Sequence, residues 1–195
     1  MFPIINLRLI AVLLSLSSLI SHGQHMPQDY WKSYGAITSS QPGQIFRSLA
    51  AAPDGLIYVG IETTNDGGVE QEVGVFDRNL NELRRWGSFS HIRGIAVNAS
   101  NEVHVFDHGA AKPIKVYDTH GNLIREWGSS GTGDGQFADT LSSINTSFSL
   151  LAISDSEEVY VVDPNNYRVQ VFSPTGDFIR KFGSNVNLGN INPSE

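Results

Sequence analysis

Residues 151–183 read LAISDSEEVYVVDPNNYRVQVFSPTGDFIRKFG. Three apolar runs stand out: Leu151-Ala152-Ile153, Val159-Tyr160-Val161-Val162 and Val169-Gln170-Val171-Phe172. Turn-forming stretches separate them, Asp155-Ser156-Glu157 first and Asp163-Pro164-Asn165-Asn166 second. Pro174-Thr175-Gly176-Asp177 then leads into a last run that ends on Phe182-Gly183-Ser184. No run keeps a helical spacing of about 3.6 residues over ten positions, so a helix does not fit. β-Branched and aromatic residues bounded by Gly, Asn, Asp and Pro read as the four strands of an antiparallel meander.

The same parts recur twice upstream in the same order. One copy holds Ile95-Ala96-Val97, Ala99-Ser100-Asn101, Val103-His104-Val105, Val116-Tyr117-Asp118, His120-Gly121-Asn122 and Trp127-Gly128-Ser129. The other holds Leu49-Ala50-Ala51, Pro53-Asp54-Gly55, Ile57-Tyr58-Val59, Val75-Phe76-Asp77, Asn79 and Trp86-Gly87-Ser88. The aromatic–Gly–Ser step returns after 41 and then 55 residues. A repeat of about 40–50 residues with four strands predicts a propeller blade. One small sheet cannot bury both faces, so blades must stack on one another. Gly121 and Gly176 fall where a hairpin needs positive φ. The aromatic before Gly87, Gly128 and Gly183 is expected to fill the gap between neighbouring blades.

The expected fold class is all-β, with β-propeller blades of four-stranded antiparallel sheets in an incomplete ring of three blades and one N-terminal strand. The blades are assigned to residues 46–88, 89–129 and 130–184. Residues 24–45 are read as an N-terminal strand and linker, because Asp29 to Gly35 resembles the end of a unit. Residues 185–195 read as the start of another linker. Propellers hold about four to eight blades. Three units therefore point to a fragment of a roughly six-bladed protein, or else to a homodimer if the chain truly ends at 195.

The third unit resembles the NHL repeat family. Its second strand ends in Asp163 and is followed by Asn166-Tyr167-Arg168-Val169-Gln170-Val171-Phe172, then by Gly176 and Phe182-Gly183. Gly128 to Phe137, GSSGTGDGQF, is similar to the family's Gly-rich loop between repeats. The resemblance spans about residues 46–184. The first unit departs from it, with a longer acidic segment from Gly60 to Glu72. The second keeps Asp107 but has Ala111-Lys112-Pro113 in place of Asn-x-Arg. The resemblance implies a six-bladed propeller that works as a binding scaffold. Asp163 and Arg168 are expected to pair across a turn, as a surface ion pair worth under about 1 kcal/mol.

Composition narrows the function. The 195 residues carry 13 Lys+Arg against 20 Asp+Glu, a net charge of −7, and no Cys. That excludes a disulfide scaffold, a Cys zinc site and a thiol nucleophile. Residues 1–23 hold one charge, Arg8, then an apolar run from Leu9 to Ile20 and the small residues Ser21 and Gly23. This is the order of a cleaved secretory signal, and the apolar run is shorter than the roughly 20 residues of a membrane span. Without that segment 12 basic residues face 20 acidic ones. An acidic, exported protein argues against nucleic acid, which requires a basic face, although RNA binding is known in the family.

Candidate residues for chemistry are few. No His pair stands at metal-ligand spacing, and no Gly-x-Ser-x-Gly elbow or phosphate loop is present. His104 alternates with valines in a strand, facing a blade interface or solvent, and His120 lies in a turn. The segment Glu62 to Glu72 does not follow an EF-hand and reads as a solvated acidic hairpin, with Asp134 as a turn residue. Arg47 and Arg93 sit near the start of inner strands, where they can line a central channel and draw an anion. His91 precedes an inner strand and His108 follows the next, so each belongs to a loop at one of the two mouths of a propeller, not necessarily the same one. Arg47, Arg93, His91 and His108 are therefore the candidate ligand-binding residues, and no catalytic, cofactor or metal residue is assigned. The expectation is a secreted or periplasmic binding scaffold for a protein, peptide or glycan, with no nucleic acid partner and no membrane contact after signal cleavage. The alternative is a fragment of a metal-dependent propeller enzyme, of lyase or lactonase type, using zinc or calcium.

Overall fold

The structure is a computed structural model that describes residues 43–138 and 150–183. The signal segment, the strand read at Asp29 to Gly35 and the linker at 185–195 lie outside the described residues. Blade 1 consists of β1 (Gln44–Ala51), β2 (Ile57–Asn65), β3 (Gly68–Phe76) and β4 (Glu82–Trp86). Blade 2 consists of β5 (Ile92–Val97), β6 (Val103–Asp107), β7 (Ile114–Tyr117) and β8 (Leu123–Trp127). A short parallel pair follows, β9 (Ser129–Ser130) with β10 (Gln136–Phe137). Blade 3 consists of β11 (Leu151–Ile153), β12 (Val159–Asp163), β13 (Arg168–Phe172) and β14 (Phe178–Phe182), with a 3-10 turn at Pro164–Asn166. Each blade is an antiparallel meander in chain order, so the chain is all-β with three propeller blades. The first sheet begins at Gln44, inside the segment read as linker.

The three blades are copies down to their registers. Leu49, Ile95 and Leu151 stand opposite Val59, Val105 and Val161. Trp86, Trp127 and Phe182 stand opposite Val73, Ile114 and Val169. The third and fourth strands share one bulge, at Val75/Phe76, Val116/Tyr117 and Val171/Phe172. The innermost strands β1, β5 and β11 neighbour one another in turn. Ile95 N donates to Ser48 Oγ at 2.9 Å, and Leu150 N donates to Arg93 O at 2.9 Å.

Burial divides by interface rather than by blade. Tyr58, Val73 and Val75 of blade 1 pack with Ile92, Ile95, Val103, Val105 and Tyr117 of blade 2. Phe106, Ile114, Val116 and Trp127 of blade 2 pack with Leu151, Val159, Val161 and Phe172 of blade 3. Each such side chain contributes about 1.5–3 kcal/mol on burial, so the two interfaces make up most of the core, with a smaller cluster of Val59, Ile61 and Phe76 on the other face of blade 1. Trp86 rests on the hairpin of blade 2 and Trp127 on that of blade 3. A Cβ on Gly121 would lie 2.6 Å from Trp86, and one on Gly176 would lie 2.6 Å from Trp127. Both glycines have positive φ, +90° and +96°. Phe182 departs from the expected role: it is 53% exposed, because among the described residues no blade follows blade 3.

One buried ion pair revises the sequence reading, and a buried histidine takes the interface side of it. Asp163 and Arg168 are not a surface pair: their side chains are 3% and 6% exposed, with Nε to Oδ2 at 2.9 Å. Arg168 also donates to the carbonyls of Thr132, Gly133 and Gln136, and so clamps the Gly-rich loop against blade 3. His104 is buried at the interface of blades 2 and 3, edge-on to Trp127 at 6.0 Å. Neither ring nitrogen makes a hydrogen bond. Burial, and then the nearby Arg125, pull its pKa from 6.5 to about 4, against Glu102.

Two outcomes follow. Arg168→Met leaves the buried Asp163 without its counter-charge, and equilibrium unfolding in urea is expected to show a loss of about 3–5 kcal/mol. The unfolded chain protonates His104 near 6.5 while the folded chain resists until about 4. Stability contributed by the neutral ring is thus complete above pH 6.5 and is lost as pH falls through that window. His104→Phe should flatten the fall in unfolding midpoint between those two pH values, and an unchanged slope would rule this role out.

Candidate functional site

Three of the four candidate residues come together. Arg47, Glu62, Gln71, His91, Ile92 and Arg93 line one pocket, at the end of the blades where β1 and β5 begin and β2 ends. Backbone irregularity explains why. The β1–β2 register shifts between Phe46 and Ser48, and the β5–β6 register shifts between Ile92 and Gly94. Arg47 and Arg93 are therefore the extra residues of two equivalent β-bulges, one on each inner strand. A bulge re-aims its side chain out of the strand's alternation. Here two guanidinium groups are re-aimed at the same pocket from neighbouring blades.

One arginine is tied down and the other is not. Arg47 donates to Glu62 through Nε at 3.1 Å and Nη2 at 2.7 Å. Gln71 Nε2 donates to the same carboxylate at 2.7 Å, and Gln71 Oε1 accepts Ile92 N at 2.6 Å. This chain of bonds crosses from blade 1 to blade 2 and fixes the pocket wall. The Arg93 side chain makes no hydrogen bond among the described residues. Burial depresses its pKa first and the adjacent Arg47 second, while Glu62 opposes them. An arginine remains charged all the same. The pocket thus holds two guanidinium groups against one carboxylate, a local positive excess in a chain of net charge −7. An anion entering it would find an unsatisfied planar donor fork, the geometry that binds carboxylate in bidentate fashion.

His91 lines the pocket, with its backbone N held by Asp107 Oδ1 at 3.0 Å. His108 does not join it. Its Nε2 lies 2.9 Å from Ala138 O, and its ring lines a separate cleft with Pro113 and Phe137. The two histidines are joined at this blade end through their backbones, His108 N donating to His91 O at 2.9 Å. Among the described residues no group of three or more His, Cys, Asp or Glu converges on a point that would hold a metal ion.

Sequence reasoning missed Glu62 and Gln71. Glu62 was taken as part of a solvated hairpin, yet it is buried and paired. The signal was available: Glu62 continues the alternating row Tyr58, Gly60, Glu62 on the face that packs against blade 2. Gln71 stands directly opposite it in the β2–β3 register.

The topology and the repeated inter-blade joint define a β-propeller-type chain. No family model matches it, and no curated protein sequence does. Solved structures are similar in fold. One is a calcium-binding protein, regucalcin, from Agrobacterium tumefaciens, with a TM-score of 0.53 and 10% identity over 75% of this chain and 48% of that one. Another is a gluconolactonase from Xanthomonas campestris, with a TM-score of 0.51 and 15% identity over 70% of this chain and 46% of that one. The chain spans under half the length of each. At these identities the likeness is one of fold alone.

Proposed function

We propose that the chain acts as an exported, NHL-type propeller binding module, whose mouth takes up an anionic group of a protein, peptide or glycan through Arg93 and Arg47. The observation that carries this reading is the pair of equivalent bulges that turn two guanidinium groups into one pocket, one of them without a hydrogen-bonding partner among the described residues. Arg93 supplies the open donor fork. Glu62, itself held by Gln71, fixes Arg47 beside it, so Arg47 loses little side-chain entropy on binding. The export signal and the NHL-type motifs of the third unit support the wider reading.

Titration calorimetry with polygalacturonate, an acidic glycan, and with a neutral glucan of similar length tests it. The acidic polymer is expected to bind saturably and to weaken with salt. Arg93→Ala should weaken binding about tenfold or more, the loss of a charge-assisted hydrogen bond. Equal affinity for both polymers, or an Arg93→Ala variant that binds like the parent, would refute the anion site. Retention of stoichiometric zinc or calcium, with lactone or lyase turnover abolished by a chelator, would favour a metal-dependent propeller enzyme instead.

A further inference from the structure

Blade 3 presents one half of a joint whose complete form occurs twice elsewhere in the molecule. In each complete joint the fourth strand of one blade supplies an arginine and an aromatic ring to the third-to-fourth-strand hairpin of the blade that follows in the chain. Arg84 donates to Thr119 O, and Arg125 Nε donates to Pro174 O at 3.1 Å. Thr119 and Pro174 are both second residues of their hairpins. Trp86 and Trp127 lie on the fourth residues, Gly121 and Gly176. In blade 3, Arg180 stands opposite Val171 as Arg125 stands opposite Val116, and Phe182 stands opposite Val169 as Trp127 stands opposite Ile114. Among the described residues Arg180 donates only to Glu158 and Tyr160, on its own sheet. Phe182 is 53% exposed where Trp127 is 9%.

We propose that this face of blade 3 is a docking surface for one further four-stranded blade, the next in chain order, whose third-to-fourth-strand hairpin carries a left-handed glycine as its fourth residue. The directionality of the two complete joints sets the order: each ring lies on the blade that comes after it. The requirement for glycine follows from the 2.6 Å approach of ring to missing Cβ. The same requirement argues against closure by a second copy of the chain. Its Gly121 and Gly176 are already covered by its own tryptophans. The hairpin left over, that of blade 1, has Leu80 at the corresponding position, with φ +66° and its N–H on Asp77 O as Gly121 N–H is on Asp118 O. A leucine side chain there occupies the place of the incoming ring.

The test duplicates residues 129–183 and inserts the copy after Gly183 of the full chain, which repeats the natural Gly128–Ser129 junction. Phe182→Ser at the original position is then compared in the parent and in the duplicated chain by thermal unfolding. Little change is expected in the parent, where the ring is half exposed, and a loss of several degrees in the duplicated chain. Gly176→Leu in the inserted copy should cause a similar loss, and combining the two changes should add little, because both break one joint. Equal effects of Phe182→Ser in both chains would overturn the proposal. So would a parent chain that runs in solution as a dimer which Phe182→Ser dissociates, since that would make a second copy the occupant.

Discussion

A large ring lying flat on a hairpin glycine holds this molecule together. A four-stranded sheet of this size has two apolar faces and cannot shelter either by itself. Trp86 on Gly121 and Trp127 on Gly176 lock one sheet to the next at the rim, while β1, β5 and β11 meet near the axis. Contact at both radii fixes the angle between blades, and the apolar side chains between rim and axis then fill a defined space. The hairpin geometry is set locally as well. Asp118 accepts the backbone N–H groups of His120 and Asn122, and the Asn122 amide holds its carboxyl below the usual carboxylate range. That cage keeps the glycine in the left-handed region where the ring needs it.

The pocket depends on the same stacking. Its wall is a relay that runs from Arg47 through Glu62 and Gln71 to the backbone of Ile92, and the last bond crosses the interface of blades 1 and 2. Separate those blades and the two guanidinium groups no longer share a cavity. Like charges face each other there because their backbones are held from elsewhere, Ile95 N on Ser48 Oγ and Leu150 N on Arg93 O. The fold thus supplies the work of bringing the two cations together, and an anion would release it.

Much of the fold was legible because the repeat is visible at the level of strands. Val, Ile and Tyr alternation, the turn residues and the aromatic–Gly–Ser endings located all three meanders. Gly121 and Gly176 took the positive φ that a hairpin requires. The site was legible only in part. Arg47 and Arg93 stood out as cations at the heads of inner strands, but nothing in the residues announced the bulges that aim them. Glu62 was hidden by its neighbours: Thr63 to Glu72 is polar enough to read as solvated, and only the phase of the alternation reveals that Glu62 faces inward. Asp163 and Arg168 looked like a surface pair because the loop that covers them, Gly131 to Gln136, is remote in sequence. His91 and His108 were both read as mouth-loop residues, and what separates them is a contact remote in sequence: the His108 ring lies against Ala138 O, in a cleft with Pro113 and Phe137.

The ring-on-glycine joint is tested most directly by comparing two substitutions that share one backbone penalty. Gly176 and Gly135 both have positive φ, +96° and +74°, so alanine at either costs about 1–2 kcal/mol in backbone strain. Around Gly135 a Cβ meets nothing within 4 Å, whereas at Gly176 it meets Trp127 at 2.6 Å. Urea unfolding of Gly176→Ala should therefore show a loss larger than that of Gly135→Ala by about 1–3 kcal/mol, the cost of overpacking. Equal losses at the two positions would contradict the account.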